Sequence, residues 1–291
     1  MKWTRGGRQN IEDRRGSSGR ALRVGGVGLG GALLLVVLSL VTGVDFMSLD
    51  PGGGVPGGGM APPERVGTSG PVASSPEEER LVDMVDAVVG DGQQMWAELL
   101  GGRYEPTRAV LFRDAIDSAC GFAQSATGPF YCPADQKIYL DLGFFEELHR
   151  GLGAPGDFAQ AYVLAHELGH HVQTVLGIES QVRRRQAANE GERNELSVRM
   201  ELQADCLAGV WGHHANAGQG RVQLEEGDVE EGLTAASAIG DDRLQRMQTG
   251  HVAPDRFTHG TSQQRVEWFT RGLRGGDPDA CNTFGSGAPP T

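Results

Sequence analysis

Two histidines four residues apart, with a glutamate directly after the first, occur in the HELGH segment at residues 166–170. On a helix, positions i and i+4 lie on one face, so both imidazole rings can reach a single metal ion while Glu167 points alongside toward a water. This spacing therefore demands a helix here and is typical of zinc hydrolases. The flanks agree, because apolar residues between Phe158 and Val175 recur with a 3.6-residue period and Gly177 stands where a C-terminal cap would be.

A third ligand is expected on a second helix. A catalytic zinc site takes three protein ligands and leaves a fourth position to water. About thirty residues downstream, Glu201 and Asp205 share one face of a predicted helix at residues 192–217. We expect His166, His170 and Glu201 to bind one zinc ion, and Asp205 to accept the other ring N–H of a ligand histidine. The alternative is that Glu201 and Asp205 are two solvated acids on an exposed helix. That is the usual situation for acids four residues apart when no histidine motif is nearby.

Several separate segments together resemble one known family. The likeness is to the neutral zinc metallopeptidases of bacterial membranes, and it is carried by HELGHHVQ, RMELQADCLAGVW, FTHGTSQQRVEWF and the opening KWTRGGRQNIEDRRG. The wider pattern is similar to gluzincin peptidases, in which two histidines and a glutamate hold zinc and an aspartate supports them. The resemblance implies the same ligands as above, Glu167 as the general base, Asp205 as support, and a zincin-like core.

The first part of the chain differs in composition from the rest. Residues 1–23 carry seven basic and two acidic side chains, and residues 24–44 are an uncharged run of 21 residues, about 30 Å as a helix, which is membrane length. By the positive-inside rule we expect a basic cytoplasmic tail at 1–23, a single transmembrane anchor at 24–44, and the remainder outside a bacterial cytoplasmic membrane, periplasmic or extracellular. A cleaved signal peptide is the alternative, although its apolar core is usually shorter.

The remaining boundaries follow from composition. Residues 45–76 are rich in Gly and Pro and lack an apolar period, which predicts a flexible linker. We expect the metallopeptidase domain at 77–284 and a disordered tail at 285–291. The domain should be α+β and mostly helical with a small sheet, because only residues 109–116 and 137–142 are good strand candidates. In a zincin-like core, a peptide substrate can pair as an additional strand with a strand that precedes the metal-binding helix. Residues 137–142 are the candidate for this strand. The alternative is that they form an ordinary internal strand.

All four cysteines fall on the predicted outer side of the membrane, where an even number favours disulfides. Three pairings are possible. We favour Cys120 with Cys132, whose short loop contains turn residues, which leaves Cys206 with Cys281. Cys206 as a zinc ligand is a rival, but its side chain points about 100° away from that of Asp205 around the helix, so both cannot easily face one metal.

His259 is the remaining histidine of interest. It lies in a segment that looks like the His-containing stretch after the ExxxD helix of membrane-associated gluzincins. An imidazole there could donate a hydrogen bond to a developing oxyanion. A helix-capping or structural role is the alternative, because Thr261 and Ser262 precede an apolar stripe and mark a helix start. His171 points away from the motif and is expected to be a surface or packing residue.

These features predict a membrane-tethered metallopeptidase with one catalytic Zn²⁺ and a protein or peptide substrate. In this enzyme Glu167 would take the proton of the attacking water and deliver it to the leaving amine. The formal net charge of −12 argues against nucleic acid as a partner. One alternative is a catalytically silent zincin-fold binding or assembly factor at the cell envelope, and another is a zinc amidase acting on cell-wall peptide. Glu167 favours an enzyme, since a purely structural site has no use for a base.

Overall fold

The computed structural model describes residues 1–16, 72, 74–218 and 220–285. Within these ranges the fold is α+β and mostly helical with small sheets, as predicted. Helices α1 to α8 are, in chain order, Pro76–Leu100, Gly143–Glu146, Asp157–Val175, Ile178–Ala188, Arg193–Asn216, Asp228–Ala238, Asp241–Thr249 and Ser262–Gly275. Strands β1 to β8 are Lys2–Trp3, Ile11–Asp13, Arg108–Phe112, Ala115–Ser118, Gly121–Gln124, Phe130–Cys132, Lys137–Asp141 and Val222–Gln223.

Two helix pairs form the centre of the main hydrophobic core: α3 packs on α5, and α5 packs on α8. The second pair is in backbone contact. A Cβ added at Gly209 of α5 would lie 2.1 Å from the carbonyl oxygen of Phe269, and one added at Gly272 of α8 would lie 1.9 Å from that of Cys206. Only glycine allows the two backbones to approach so closely. This approach holds α8 against the helix that carries Glu201.

The main sheet has four strands in the order β2-β3-β7-β6. Strands β2 and β7 run parallel to β3, and β6 runs antiparallel to β7. Residues 137–142 therefore contain an internal strand that is paired on both sides. Their predicted role as the substrate-receiving strand is wrong, because an internal strand has no free edge. The neighbouring strand at the edge of the sheet is β6. The strand predicted at 109–116 is two strands, because Asp114 has a φ of 63° and turns the chain.

Residues 1–16 belong to the folded domain. Strand β1 pairs with β8, strand β2 forms an outer strand of the main sheet, and Trp3 and Ile11 pack on the main core. The domain boundaries predicted at 1–23 and 77–284 are therefore corrected to a unit that combines residues 1–16 with residues 74–285. The physical reason is strand pairing and charge complementarity between stretches far apart in the chain, which composition does not reveal.

The predicted anchor at 24–44, most of the linker at 45–76 and nearly all of the tail at 285–291 lie outside the described residues. Of the helices that the structure does describe, none is both long enough and apolar enough to cross a bilayer. The anchor and the localisation derived from it stay predictions.

Both disulfides have the predicted connectivity. Cys120 bonds to Cys132 and ties the β4–β5 hairpin to the edge strand β6, and Cys206 bonds to Cys281 and ties the C-terminal segment to α5. The rival idea of Cys206 as a zinc ligand is wrong, because its sulfur is already bonded.

Candidate metal centre

Helices α3 and α5 bring His166, His170 and Glu201 together, with one possible ligand atom from each lying within 4.8 Å of the other two. The Nε2 of His166 is 3.1 Å from one carboxylate oxygen of Glu201, and the Nε2 of His170 is 3.4 Å from the other. The two rings are perpendicular, with centroids 4.7 Å apart. Two imidazole nitrogens and one carboxylate oxygen match the donor set of catalytic zinc sites with three protein ligands.

A close helix contact sets this geometry. A Cβ added at Gly169 would lie 3.0 Å from both the Cα and the carbonyl oxygen of Ala204. Gly169 stands between the two histidines in the motif, and Ala204 stands three residues after Glu201. The small residues therefore let α3 and α5 approach at the level where the three side chains meet.

Each histidine is oriented through its Nδ1 atom. The Nδ1 of His166 is 2.8 Å from Asp205, as predicted for a supporting carboxylate, and the Nδ1 of His170 is 2.8 Å from the side-chain oxygen of Gln173. Both acceptors favour the tautomer with hydrogen on Nδ1, which leaves the Nε2 lone pairs for a metal. The amide of Gln173 also donates to the backbone of α5. Gln173 was not predicted, although its position three residues after His170 on the same helix is a usable signal.

Asp205 is fully buried and is the centre of a polar network. It accepts hydrogen bonds from the hydroxyl of Tyr162 on α3 and from Nε and Nη2 of Arg265 on α8, both guanidinium distances being 2.9 Å. Burial raises the pKa of Asp205, but Arg265 and His166 outweigh burial and hold that pKa below its usual value. The carboxylate is therefore charged and fixed. Sequence reasoning missed both partners, since neither has ligand spacing.

The site has a strong preference for positive charge. Burial lowers the pKa of His166, but Asp205 and Glu201 outweigh burial and raise it to about 10. The pKa of His170 is also raised, because the charge of Glu201 exceeds the effect of burial. Burial raises the pKa of Glu201, but His170 and His259 outweigh it, so that the pKa falls well below its usual value. A group of carboxylates around two ring nitrogens suits a divalent cation.

Glu167 is buried beside the two histidines, only 7% exposed. Burial raises the pKa of its carboxyl, while His170, His166 and the backbone N–H of Tyr131 act in the opposite direction. Strand β6, which contains Tyr131, packs against the metal-binding helix α3. The Tyr131 hydroxyl also lies 3.0 Å from Nδ1 of His171, whose Nε2 lies 2.6 Å from the carbonyl oxygen of Glu105. His171 is thus a buried packing residue.

His259 is held by Asp241, a buried residue at the start of α7. One oxygen of Asp241 accepts the backbone N–H groups of Thr258, His259 and Gly260 at 2.7, 2.7 and 3.1 Å, and the other lies 3.2 Å from Nδ1 of His259. Burial lowers the pKa of His259, but Glu201 and Asp241 outweigh it and raise that pKa. The imidazole is therefore within electrostatic range of Glu201, and Asp241 is a partner that sequence reasoning missed.

The helix cap that was the alternative role for His259 is formed by Thr261 instead. The side-chain oxygen of Thr261 accepts the N–H of Gln264, and the Gln264 side chain accepts the Thr261 N–H, which is a capping box at the start of α8. The predicted helix start is therefore present, and the His259 ring has no part in it.

A second group of acidic residues, Asp157, Asp228 and Glu231, also has ligand-like spacing among the described residues. The Met1 ammonium lies 3.0 Å from Asp157 and 3.1 Å from Asp228. A positive charge is already present in this group, and we assign no metal to it.

Comparison with known proteins identifies the family of this chain. The family described as "putative neutral zinc metallopeptidase" matches residues 1–284. The chain belongs to this family. It is 46% identical to the uncharacterized protein YpfJ of Escherichia coli K12 over 98% of this chain and 99% of that protein. It is 43% identical to the uncharacterized protein Mb2605 of Mycobacterium bovis over 65% of this chain and 66% of that protein. No solved structure matches the chain significantly.

Proposed function

We propose that this protein is a zinc-dependent peptidase that hydrolyses peptide bonds with Glu167 as the general base. The observation that carries the proposal is the convergence of the His166 and His170 Nε2 atoms on the Glu201 carboxylate, directly beside the buried Glu167. Membership of a family of zinc metallopeptidases supports the same reaction class. The α3–α5 pair carrying these ligands is consistent with a zincin-like core.

The residues present fit zinc, because they offer two imidazole nitrogens and one carboxylate with supported orientations, and the neighbouring carboxylates favour a positive charge at this place. Zinc held by His166, His170 and Glu201 would supply Lewis acidity, which makes a water acidic and polarises the scissile carbonyl. Glu167 would accept the proton of that attacking water and deliver it to the leaving amine. His259, with Nδ1 toward Asp241, keeps Nε2 for a hydrogen bond to the oxygen on which negative charge develops.

We further propose that substrate binds along the outer edge of β6. Among the described residues this strand pairs with β7 alone, and it packs against helix α3, which carries Glu167. An extended peptide added to this edge would lie beside the general base. The position follows from the strand order, which makes β6 rather than β7 the accessible neighbour of the metal-binding helix.

The predicted tether remains part of the proposal. The apolar run at 24–44 has the length of a membrane anchor. The two disulfides support a place outside the cytoplasm, since such bonds persist in oxidising compartments. We therefore propose a peptidase tethered to a membrane with its folded domain on the extracytoplasmic side.

The test is digestion of a broad peptide library by the full chain and by Glu167→Gln, with zinc measured in both samples. Glutamine keeps the size of the side chain but cannot accept the proton, so turnover should fall by roughly two to four orders of magnitude while zinc content is unchanged. Equal cleavage by both proteins at matched zinc content would overturn the mechanism and favour a binding or assembly factor.

A further inference from the structure

We infer that residues 1–16 stay docked on the domain that holds the metal centre when the chain is in the cell, and therefore lie on the same side of the membrane as that domain. This inference rests on the extracytoplasmic domain of the proposed function but not on catalysis, and it replaces the single crossing that the predicted topology places between residues 16 and 74. The predicted topology, with a cytoplasmic tail and an external domain separated by one crossing, places these two stretches on opposite sides. Their contacts require both stretches in one compartment.

Two strand pairings hold the segment at its ends. In the β1–β8 pair, Lys2 lies opposite Gln223, and the N–H of Thr4 donates to the carbonyl of Arg221 at 3.0 Å. In the β2–β3 pair, Ile11 lies opposite Ala109 in parallel register. The segment thus completes the main sheet at the side away from β6, where β3 would otherwise present unpaired backbone groups.

Ion pairs with the first two turns of α1 hold the middle and the C-terminal end of the segment. Arg8 pairs with Glu79 and, at 2.6 Å, with Asp83. Arg15 is only 5% exposed and lies 2.9 Å from both Glu78 and Glu79. A guanidinium this deeply buried is stable only when paired, so Arg15 commits the segment to this position.

Uncharged and shared contacts make the docking specific. The Asn10 side-chain amide donates to Asp86 at 3.0 Å, and the amide of Gln93 donates to the Asn10 side-chain oxygen at 2.9 Å. Arg221 bridges both parts, because its Nη2 donates to Asp86 at 2.9 Å and to the carbonyl of Thr4 at 3.1 Å. General attraction between a basic tail and an acidic helix would not require this pattern of donors and acceptors.

The contacts also explain the basic residues of this segment differently from the positive-inside rule. Arg5, Arg8 and Arg15 precede an apolar run, which is the pattern that usually marks a cytoplasmic flank. In the folded domain all three bind carboxylates of α1, including Asp83 and Glu79. Their charge is used for docking within the chain, so it carries no information about which flank stays inside.

The experiment is a disulfide cross-link in intact cells that express the full chain with Lys2→Cys and Gln223→Cys. The two positions are exposed and directly opposite in register, within the separation that a disulfide bridges. We expect a cross-link within one chain, seen as a mobility shift that reductant removes. The matched control is Lys2→Cys with Glu190→Cys, whose second position is exposed but is not opposite Lys2.

The native disulfides provide the internal standard. If Cys120–Cys132 and Cys206–Cys281 are oxidised and zinc is retained, but no bond forms between positions 2 and 223, the inference is overturned. A bond that forms only between two chains also overturns it, because the segment would then dock on another copy. The readout does not depend on peptide cleavage, so its failure can be told apart from failure of the proposed function.

Discussion

Glu201 joins the two histidines of the metal centre, because each of its carboxylate oxygens faces a different Nε2 atom. Glu201→Gln removes the charge and one of the two acceptor oxygens. We expect zinc affinity to fall by more than the roughly 10- to 100-fold that is typical of losing a supporting residue. Titration against a competing chelator measures this change. Glu195→Gln is the control, since Glu195 is half-exposed on the same helix; equal affinities of the two variants would refute the assignment of Glu201.

His259 is a test of the proposed oxyanion contact. Loss of one preorganised donor to an oxyanion typically lowers turnover by roughly two to three orders of magnitude. We expect His259→Ala to show a fall of this size with zinc content and folding unchanged. The comparison is with His251→Ala, an exposed histidine in the same part of the chain. If zinc were lost together with activity, His259 would instead be part of the metal-binding structure.

Residues with no ligand spacing complete the centre. Arg265, Tyr162 and Asp241 are buried side chains that orient the histidines and the supporting carboxylate. A buried arginine or aspartate is stable only with partners, and these partners come from other segments of the chain. The identity of such a residue can be read in the sequence, but its partner cannot.

Helix α8 acts on the centre through its close contact with α5. Gly272→Ala would place a Cβ 1.9 Å from the Cys206 carbonyl oxygen, whereas a Cβ added at Gly275, in the same helix, would have no described atom within 4 Å. We expect Gly272→Ala to lower the free energy of unfolding by about 1–3 kcal/mol and Gly275→Ala to raise it by up to about 1 kcal/mol. Denaturant unfolding of both variants measures the two changes, and equal effects would contradict the packing.

The strands show why periodicity has a limit here. Residues 137–142 have the apolar character of a buried strand, which is correct, but nothing in that pattern says whether the strand lies inside a sheet or at its edge. The order of strands depends on which segments pair, and here the internal position results from pairing with β3 on one side and β6 on the other.

The stabilisation that comes from docking residues 1–16 on the rest of the domain should depend on pH. Hydrogen bonds from Ser74, Arg8 and Arg15 lower the pKa of Glu79 to about 2 from an ordinary 4.5. A carboxylate whose pKa is lower in the folded protein stabilises it above the ordinary pKa, and this contribution disappears as the pH falls toward the folded value.

We therefore expect Arg8→Gln to lower the melting temperature at pH 7, and the difference from wild type to shrink as the pH falls from 4.5 toward about 2. Thermal unfolding of both proteins across this pH range measures the effect. A difference that stays constant with pH would show that Arg8 acts through packing and not through its ion pairs.

Much of the metal centre could be predicted because its spacing is local. Positions 166, 167 and 170, and positions 201 and 205, are related by the geometry of single helices, which is the same in any protein. The disulfides could be predicted from the number of cysteines and one short loop. Each of these patterns lies within about a dozen residues, where the backbone alone sets direction and distance, except the Cys206–Cys281 pair, which spans 75 residues and follows by elimination.

The partners of these residues could not be found in this way. Arg265 meets Asp205 across 60 residues, and Arg8 meets Asp83 across 75, where many other acidic residues were equally available. Which pair forms depends on how whole helices and strands pack, since only packing removes water and makes an unpaired charge costly. For the same reason the first sixteen residues read as a tail in the sequence and become part of the domain only when the sheet and α1 are assembled.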